Sequence, residues 1–168
     1  MHRITRRGLL ASALALPALA QAAWPDRPVR LVVPFRPAGR TTSSARLLAE
    51  ALQERLGQPF PVENRGGAGG NIGADAVAKA APDGHTLLLA APGPFAINEH
   101  LYRSMPFDPA RDLVPVALVA AVPIVLVVPA DSPARSLAEL IALARREPGK
   151  LAFGSSSIGG TNHLAGSC

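Results

Sequence analysis

VRLVVPFRPAGRTTSSARLLAEALQERLG, Val29–Gly57, decides the fold. Its first seven residues form a nearly continuous apolar run, the pattern of a strand covered on both faces. Pro34, Pro37 and Gly39 then break the run, and a row of hydroxyl residues, Thr41 to Ser44, follows. Ala45, Leu48, Leu52 and Leu56 recur at helical spacing, with Glu50, Gln53 and Glu54 on the other side; Gly57 and Pro59 supply the stop. A strand that feeds a helix through such a loop offers an anion the unpaired N–H groups and positive dipole end of the helix. Arg36 and Arg40 stand inside the loop and leave open whether its chemistry has been altered.

The same alternation continues downstream. PFPVEN (Pro59–Asn64) reads as a short strand, RGGAGGNIG as a glycine-rich turn, and NIGADAVAKAA as a second helix closed by Pro82-Asp83-Gly84. HTLLLAAP (His85–Pro92) reads as a third buried strand. From Gly93 to Asp112 several prolines argue for loops and one short helix. LVPVALVAAVPIVLVVPA (Leu113–Ala130) carries no charge, but its prolines and valines suit two consecutive strands kinked at Pro123 rather than a membrane span. SLAELIALARREPGK predicts a helix with a capping box of Ser136 and Glu139 and an apolar face of Leu137, Leu140, Ile141 and Ala144. KLAFGSSS reads as a strand entering another small-residue loop, and TNHLAGSC begins a helix.

Strands separated by helices imply a parallel sheet and an α/β fold. Open sheets of this kind bind ligands outside the carboxyl ends of their strands. That rule singles out four loops: Arg36–Ser44, Arg65–Asn71, Pro92–Asn98 and Ser155–Thr161. All are rich in Gly, Ser, Thr or Pro, and each taken alone is equally an ordinary turn or N-cap.

The amino terminus has the layout of an export signal over residues 1–22. Arg3, Arg6 and Arg7 precede an apolar stretch from Gly8 to Leu19, and Ala20-Gln21-Ala22 fits an A-x-A cleavage pattern. The apolar stretch is shorter than the roughly 20 residues a membrane helix needs. Thr5-Arg6-Arg7-Gly8-Leu9-Leu10 resembles a twin-arginine signal, and a general secretion signal fits equally. Three of the 17 Lys and Arg residues lie in this leader, leaving 14 against 12 acids. With no run of like charges, a nucleic-acid surface is not indicated. Cys168 is the one cysteine, so an internal disulfide and a cysteine-ligated metal are excluded.

Enzyme signals are weak. Gly67, Gly69 and Gly73 give G-x-G-x-x-x-G, but after the second strand and without the acid that a dinucleotide fingerprint requires. GSSSIGG approaches a nucleophile elbow but has Ile158 where the second glycine belongs. Ser156 or Ser157 with His163 keeps an exported serine hydrolase open as an alternative. His85 and His100 are isolated, so no metal site is expected, and no cofactor.

WPDRPVRLVVPF, ENRGGAGGNIGADAVAKAAPDGHTLLL, INEHLY, LAELIALARREPGKLAFGSSS and TNHLAG follow one another in an order and spacing that resembles the Bug family. These are the extracytoplasmic solute receptors of tripartite tricarboxylate transporters. The resemblance runs from Trp24 to Gly166. It implies a periplasmic binding protein of type II-like fold, with lobe one over residues 23–122, largely present, and the start of an incomplete lobe two over 123–168. It also implies a monomer without enzymatic activity, which holds a small carboxylate (a dicarboxylate, tricarboxylate or amino acid) for membrane transporter components. Carried over by position, the ligand residues are Pro37, Gly39, Thr41 and Thr42; Gly69, Gly70 and Asn71; Gly93 and Phe95; and Ser155, Ser156, Thr161 and His163. The family's first loop has consecutive glycines and an aspartate; here Arg40 takes a glycine's place and Thr42 the aspartate's. Arg40 then contacts the ligand, obstructs it, or points into water. Family members are also longer, which makes a truncated, nonfunctional remnant the competing expectation.

Overall fold

The computed structural model describes residues 23–155 and 160–167. Three parallel strands, β1 (Arg30–Val33), β2 (Val62–Asn64) and β3 (Thr86–Leu88), form a sheet in the order β2-β1-β3. Leu31 pairs with Val62 on one side and with Leu87 on the other. β1 is therefore the central strand, as its unbroken apolar run requires, and Leu31, Val32 and Val33 are all buried. The flanking strands are shorter than their sequence runs. Pro59 and Pro61 have no N–H to donate, yet their carbonyls accept from Val29 and Leu31 at 3.0 and 2.9 Å. Expected as a buried strand, β3 is half-buried throughout, since it lies at an edge.

Helix α1 (Arg40–Leu56) covers β1 and β2. Ala45 and Ala49 bring it close to Val29, Leu31, Val33 and Phe60, and Leu48 and Leu52 pack around this core. Gly57 ends the helix in the left-handed region (φ 73°), its N–H bonded to the Gln53 carbonyl, the arrangement glycine adopts without steric cost. Successive strand residues face opposite ways, so Val32 and Pro34 look to the other face. There α2 (Asn71–Ala78) packs on β1 and β3. Gly73 is what lets it approach: a Cβ at this position would lie 2.7 Å from Pro34 Cβ and 2.8 Å from the Arg65 carbonyl oxygen.

Between Gly93 and Asp112 the chain holds more helix than expected: a π-helical turn (Gly93–Ile97), α3 (Asn98–Leu101) and α4 (Pro109–Asp112). The two strands expected within Leu113–Ala130 do not form; Val114 and Leu118 are 85% and 86% exposed. Three prolines remove ladder donors there, and among the described residues no neighbouring strand pairs with the stretch. The strand expected in KLAFGSSS is likewise absent from Lys150–Ser155. Helix α5 (Leu137–Arg146) forms as its periodicity indicates, and Ser136 Oγ accepts from the Glu139 N–H at 3.2 Å. The reciprocal arm of the box falls one residue early, with Glu139 Oε2 accepting from the Arg135 N–H at 2.6 Å. The apolar face of α5 packs on nothing in full: Leu137 and Ile141 are 63% and 43% exposed. Helix α6 (Thr161–Ser167) closes the described chain. The leader, Ser156, Ser157, Ile158 and Cys168 lie outside the described residues. Among those described, no helix is long and apolar enough to cross a membrane.

Candidate ligand-binding site

At the carboxyl ends of the three strands, three of the four singled-out loops meet. The first is fixed from beneath. Thr42 is fully buried; its hydroxyl accepts from Asn64 Nδ2 at 2.8 Å and donates to the Arg36 carbonyl at 3.3 Å. Asn64 Nδ2 also donates to the Phe35 carbonyl at 3.0 Å. Where the family pattern has an aspartate, this chain therefore has a hydroxyl engaged within the protein, which holds the loop's shape. Arg40 is exposed at the first turn of α1, and Pro37 is exposed beside it. A cation there opposes the helix dipole, a mild cost that exposure to water screens.

The glycine turn supplies the second wall. Gly69 and Gly70 both take positive φ, 65° and 99°, a region closed to most side chains. A Cβ on Gly70 would strike Pro94 Cγ at 2.7 Å, and one on Gly69 would strike the Tyr102 hydroxyl at the same distance. Pro34, Gly70 and Pro94, from three separate loops, thus pack into one layer. Asn98 then ties the second loop to the third: its Nδ2 donates to the Gly69 carbonyl at 3.2 Å and to Asn71 Oδ1 at 2.5 Å. Asn71 and Asn98 are 4% and 2% exposed.

Which backbone groups remain available is an accounting question. The N–H groups of Gly39, Thr42, Gly70 and Phe95 already donate to Arg36, Gly39, Gly67 and Pro92, and that of Asn71 donates to Ala68. Among the described residues, the N–H groups of Thr41, Gly69 and Gly93 have no acceptor. Each lies on a different loop, and each residue is at least partly open to solvent. None of the three loops contains an acid, while Arg36, Arg40 and Arg65 lie within them; Arg65 is held by Glu63 at 2.7 Å. Three unpaired donors on neighbouring acid-free, arginine-bearing loops suit an anion.

Carboxylates with displaced titration lie elsewhere. Asp83, at the opposite edge of the sheet, accepts from the His85 N–H at 2.9 Å and pairs with Arg27 at 2.6 Å, which hold it below the ordinary aspartate range. Asp112 is lowered by its hydrogen bond from Arg111. His85 is buried against Trp24, and its Nε2 is 3.0 Å from Asp26, far from the loops in sheet direction.

Of the fourth loop, Ser155, Gly160 and Thr161 are among the described residues. His163 stacks obliquely near Phe153, with ring centroids 6.3 Å apart, and its N–H donates to the Gly160 carbonyl; Thr161 is exposed, Ser155 is exposed, and Ser156 lies outside the described residues. The sequence reading missed Asn64, Asn98 and Tyr102. Asn64 and Asn98 are the second residues of ENRGGAGG and INEHLY, both conspicuous motifs, but Asn64 lies just before the Arg65–Asn71 loop and Asn98 is the last position of the Pro92–Asn98 loop.

Residues 44–167 match the tripartite tricarboxylate transporter family receptor. The chain belongs to this family. The protein BugT of Bordetella pertussis is 47% identical over 142 residues, which are 84% of this chain and 44% of BugT. Among solved structures, the R. palustris protein Rpa4515 with adipate is 46% identical with a TM-score of 0.78, over 85% of this chain and 48% of that one. MatC from Rhodopseudomonas palustris with bound malate is 38% identical with a TM-score of 0.64, over 73% and 42%. The chain therefore spans about half the length of the relatives it matches. The α/β reading with a parallel sheet is that of the periplasmic binding proteins it resembles. Proteins of this family are receptors rather than enzymes, which removes the serine hydrolase alternative.

Proposed function

We propose that this chain is a receptor component that captures a small carboxylate in the periplasm for the membrane components of a tripartite transporter. The observation that carries this reading is that the Thr41, Gly69 and Gly93 N–H groups lie without acceptors, among the described residues, on three acid-free loops at the carboxyl ends of the strands. Adipate and malate in two similar proteins point the same way. A carboxylate accepting such charge-assisted bonds gains about 1.5–3 kcal/mol from each, and the positive end of the 17-residue α1 adds to this. Amides read a carboxylate without proton exchange or covalent chemistry, so ligand leaves unchanged. The Thr41 hydroxyl extends the first wall. Arg40, exposed beside it, attracts anions to the edge rather than gripping them. Export through the leader brings the receptor to where such solutes are met.

Isothermal titration calorimetry of the full chain with adipate, malate and the uncharged diamide of adipate tests the reading. Saturable binding of at least one diacid, with the diamide weaker by tenfold or more, is expected. A chain that binds neither acid, or binds the diamide as well as adipate, contradicts it.

A further inference from the structure

We propose that Asn98 is a positioning residue for this site: it acts by locking the glycine turn against the Gly93 loop, without touching ligand itself. The proposal deepens the carboxylate-receptor reading and rests on it. Asn98 opens α3 directly after the Gly93–Ile97 turn and is almost wholly buried. Its side-chain amide has two donors, and both are used across 27 and 29 residues of sequence, on Asn71 Oδ1 and the Gly69 carbonyl. Gly69 and Gly93 carry two of the three free N–H groups, and a Cβ on Gly93 would lie 3.5 Å from that same Gly69 carbonyl and 3.7 Å from Asn98 Oδ1. One side chain thus sets the spacing of two donors that belong to separate loops. Pro34, Pro94 and Tyr102 pack against the turn, but among the described residues no other hydrogen bond ties its positive-φ pair to a neighbouring loop: its own bonds, from Gly70 to Gly67 and Asn71 to Ala68, stay within the turn. A peptide unit whose carbonyl is pinned cannot rotate its neighbours freely, and loosely held donors lose affinity through the ordering they then require.

The test pairs hydrogen exchange with adipate titration in the full chain, using Asn98→Ala and Asn98→Leu. The second variant keeps the side-chain volume, so loss of packing alone does not explain a shared result. The amides of Gly70 and Phe95 report on the two loops, and those of Leu31 and Leu89 on the sheet. Exchange at Gly70 and Phe95 rising by about tenfold or more relative to the sheet, with adipate affinity falling by a similar factor, is the expected result. Exchange that rises equally in loops and sheet would mean a merely structural role and overturns the proposal. So does a local rise with adipate affinity unchanged. If the unsubstituted chain binds no diacid while the local rise persists, the receptor reading fails and the lock between the two loops stands.

Discussion

Two stretches of this chain look alike in sequence and behave oppositely. The Val29–Phe35 run that holds β1 and the run from Leu113 to Ala130 are both valine-rich, carry one charge or none, and contain proline. β1 is bonded along both edges, with Arg30 donating to His85, Leu31 to Pro61, and Leu89 to Val32, and its side chains are sealed by two helices. The later run has no ladder among the described residues and leaves Val114, Leu118 and Val127 largely exposed. Apolar composition therefore marks a segment that is able to be a strand. What makes it one is a neighbour that satisfies its N–H and C=O groups.

Substitutions that probe this contrast differ in size. Leu31→Ala removes a buried side chain from the central strand and should cost about 2–5 kcal/mol, read from the urea midpoint; Val125→Ala in the exposed run should shift it by less than about 0.5 kcal/mol. Equal effects would break the comparison. Gly73→Ala forces a methyl into Pro34 and the Arg65 carbonyl, and overpacking of this kind should cost about 1–3 kcal/mol in the same assay. Thr42→Val keeps the shape but leaves Asn64 Nδ2 without its 2.8 Å acceptor; a loss of about 1–2 kcal/mol is expected, and a neutral outcome would show that the loop is held by packing alone.

The smallest effect is electrostatic and lies at the opposite edge. Asp83 titrates below its ordinary value because the His85 N–H and then Arg27 favour its charged form. Its contribution is therefore complete above the unfolded aspartate value and is lost as pH falls below about 4 through the lowered folded value. Thermal melts between neutral pH and the acid range should show Asp83→Asn melting lower than the unsubstituted chain at neutral pH, with a flatter acid-side decline, so that the two chains converge in acid. An Asp83→Asn chain with an unchanged acid profile would place the acid sensitivity elsewhere.

Much of the first hundred residues was legible because local signals and tertiary needs agree there. The Val29–Gly57 run, its stop at Gly57, and the glycine turn each fix a local conformation that the sheet then uses. The three loops were legible by the rule that places sites at strand ends. What was not legible was which groups in those loops face outward. Thr42 reads as a ligand hydroxyl until Asn64, from another strand, is seen to occupy it. Asn98 reads as the last residue of a small-residue loop until its amide is found between two loops. Such roles depend on partners 22 to 29 residues away, which no local pattern encodes. Leu113–Ala130 failed for the same reason, since pairing is a property of two segments.

The proposed site consists of free amides on three loops at one sheet edge. Titrating adipate into the isotopically labelled chain and following backbone amide resonances tests it most directly. Saturable shifts concentrated at Thr41, Gly69 and Gly93, with Leu113–Ala130 and the His85 edge unmoved, are predicted. Shifts centred on either of those other regions, or none at millimolar adipate, would contradict it.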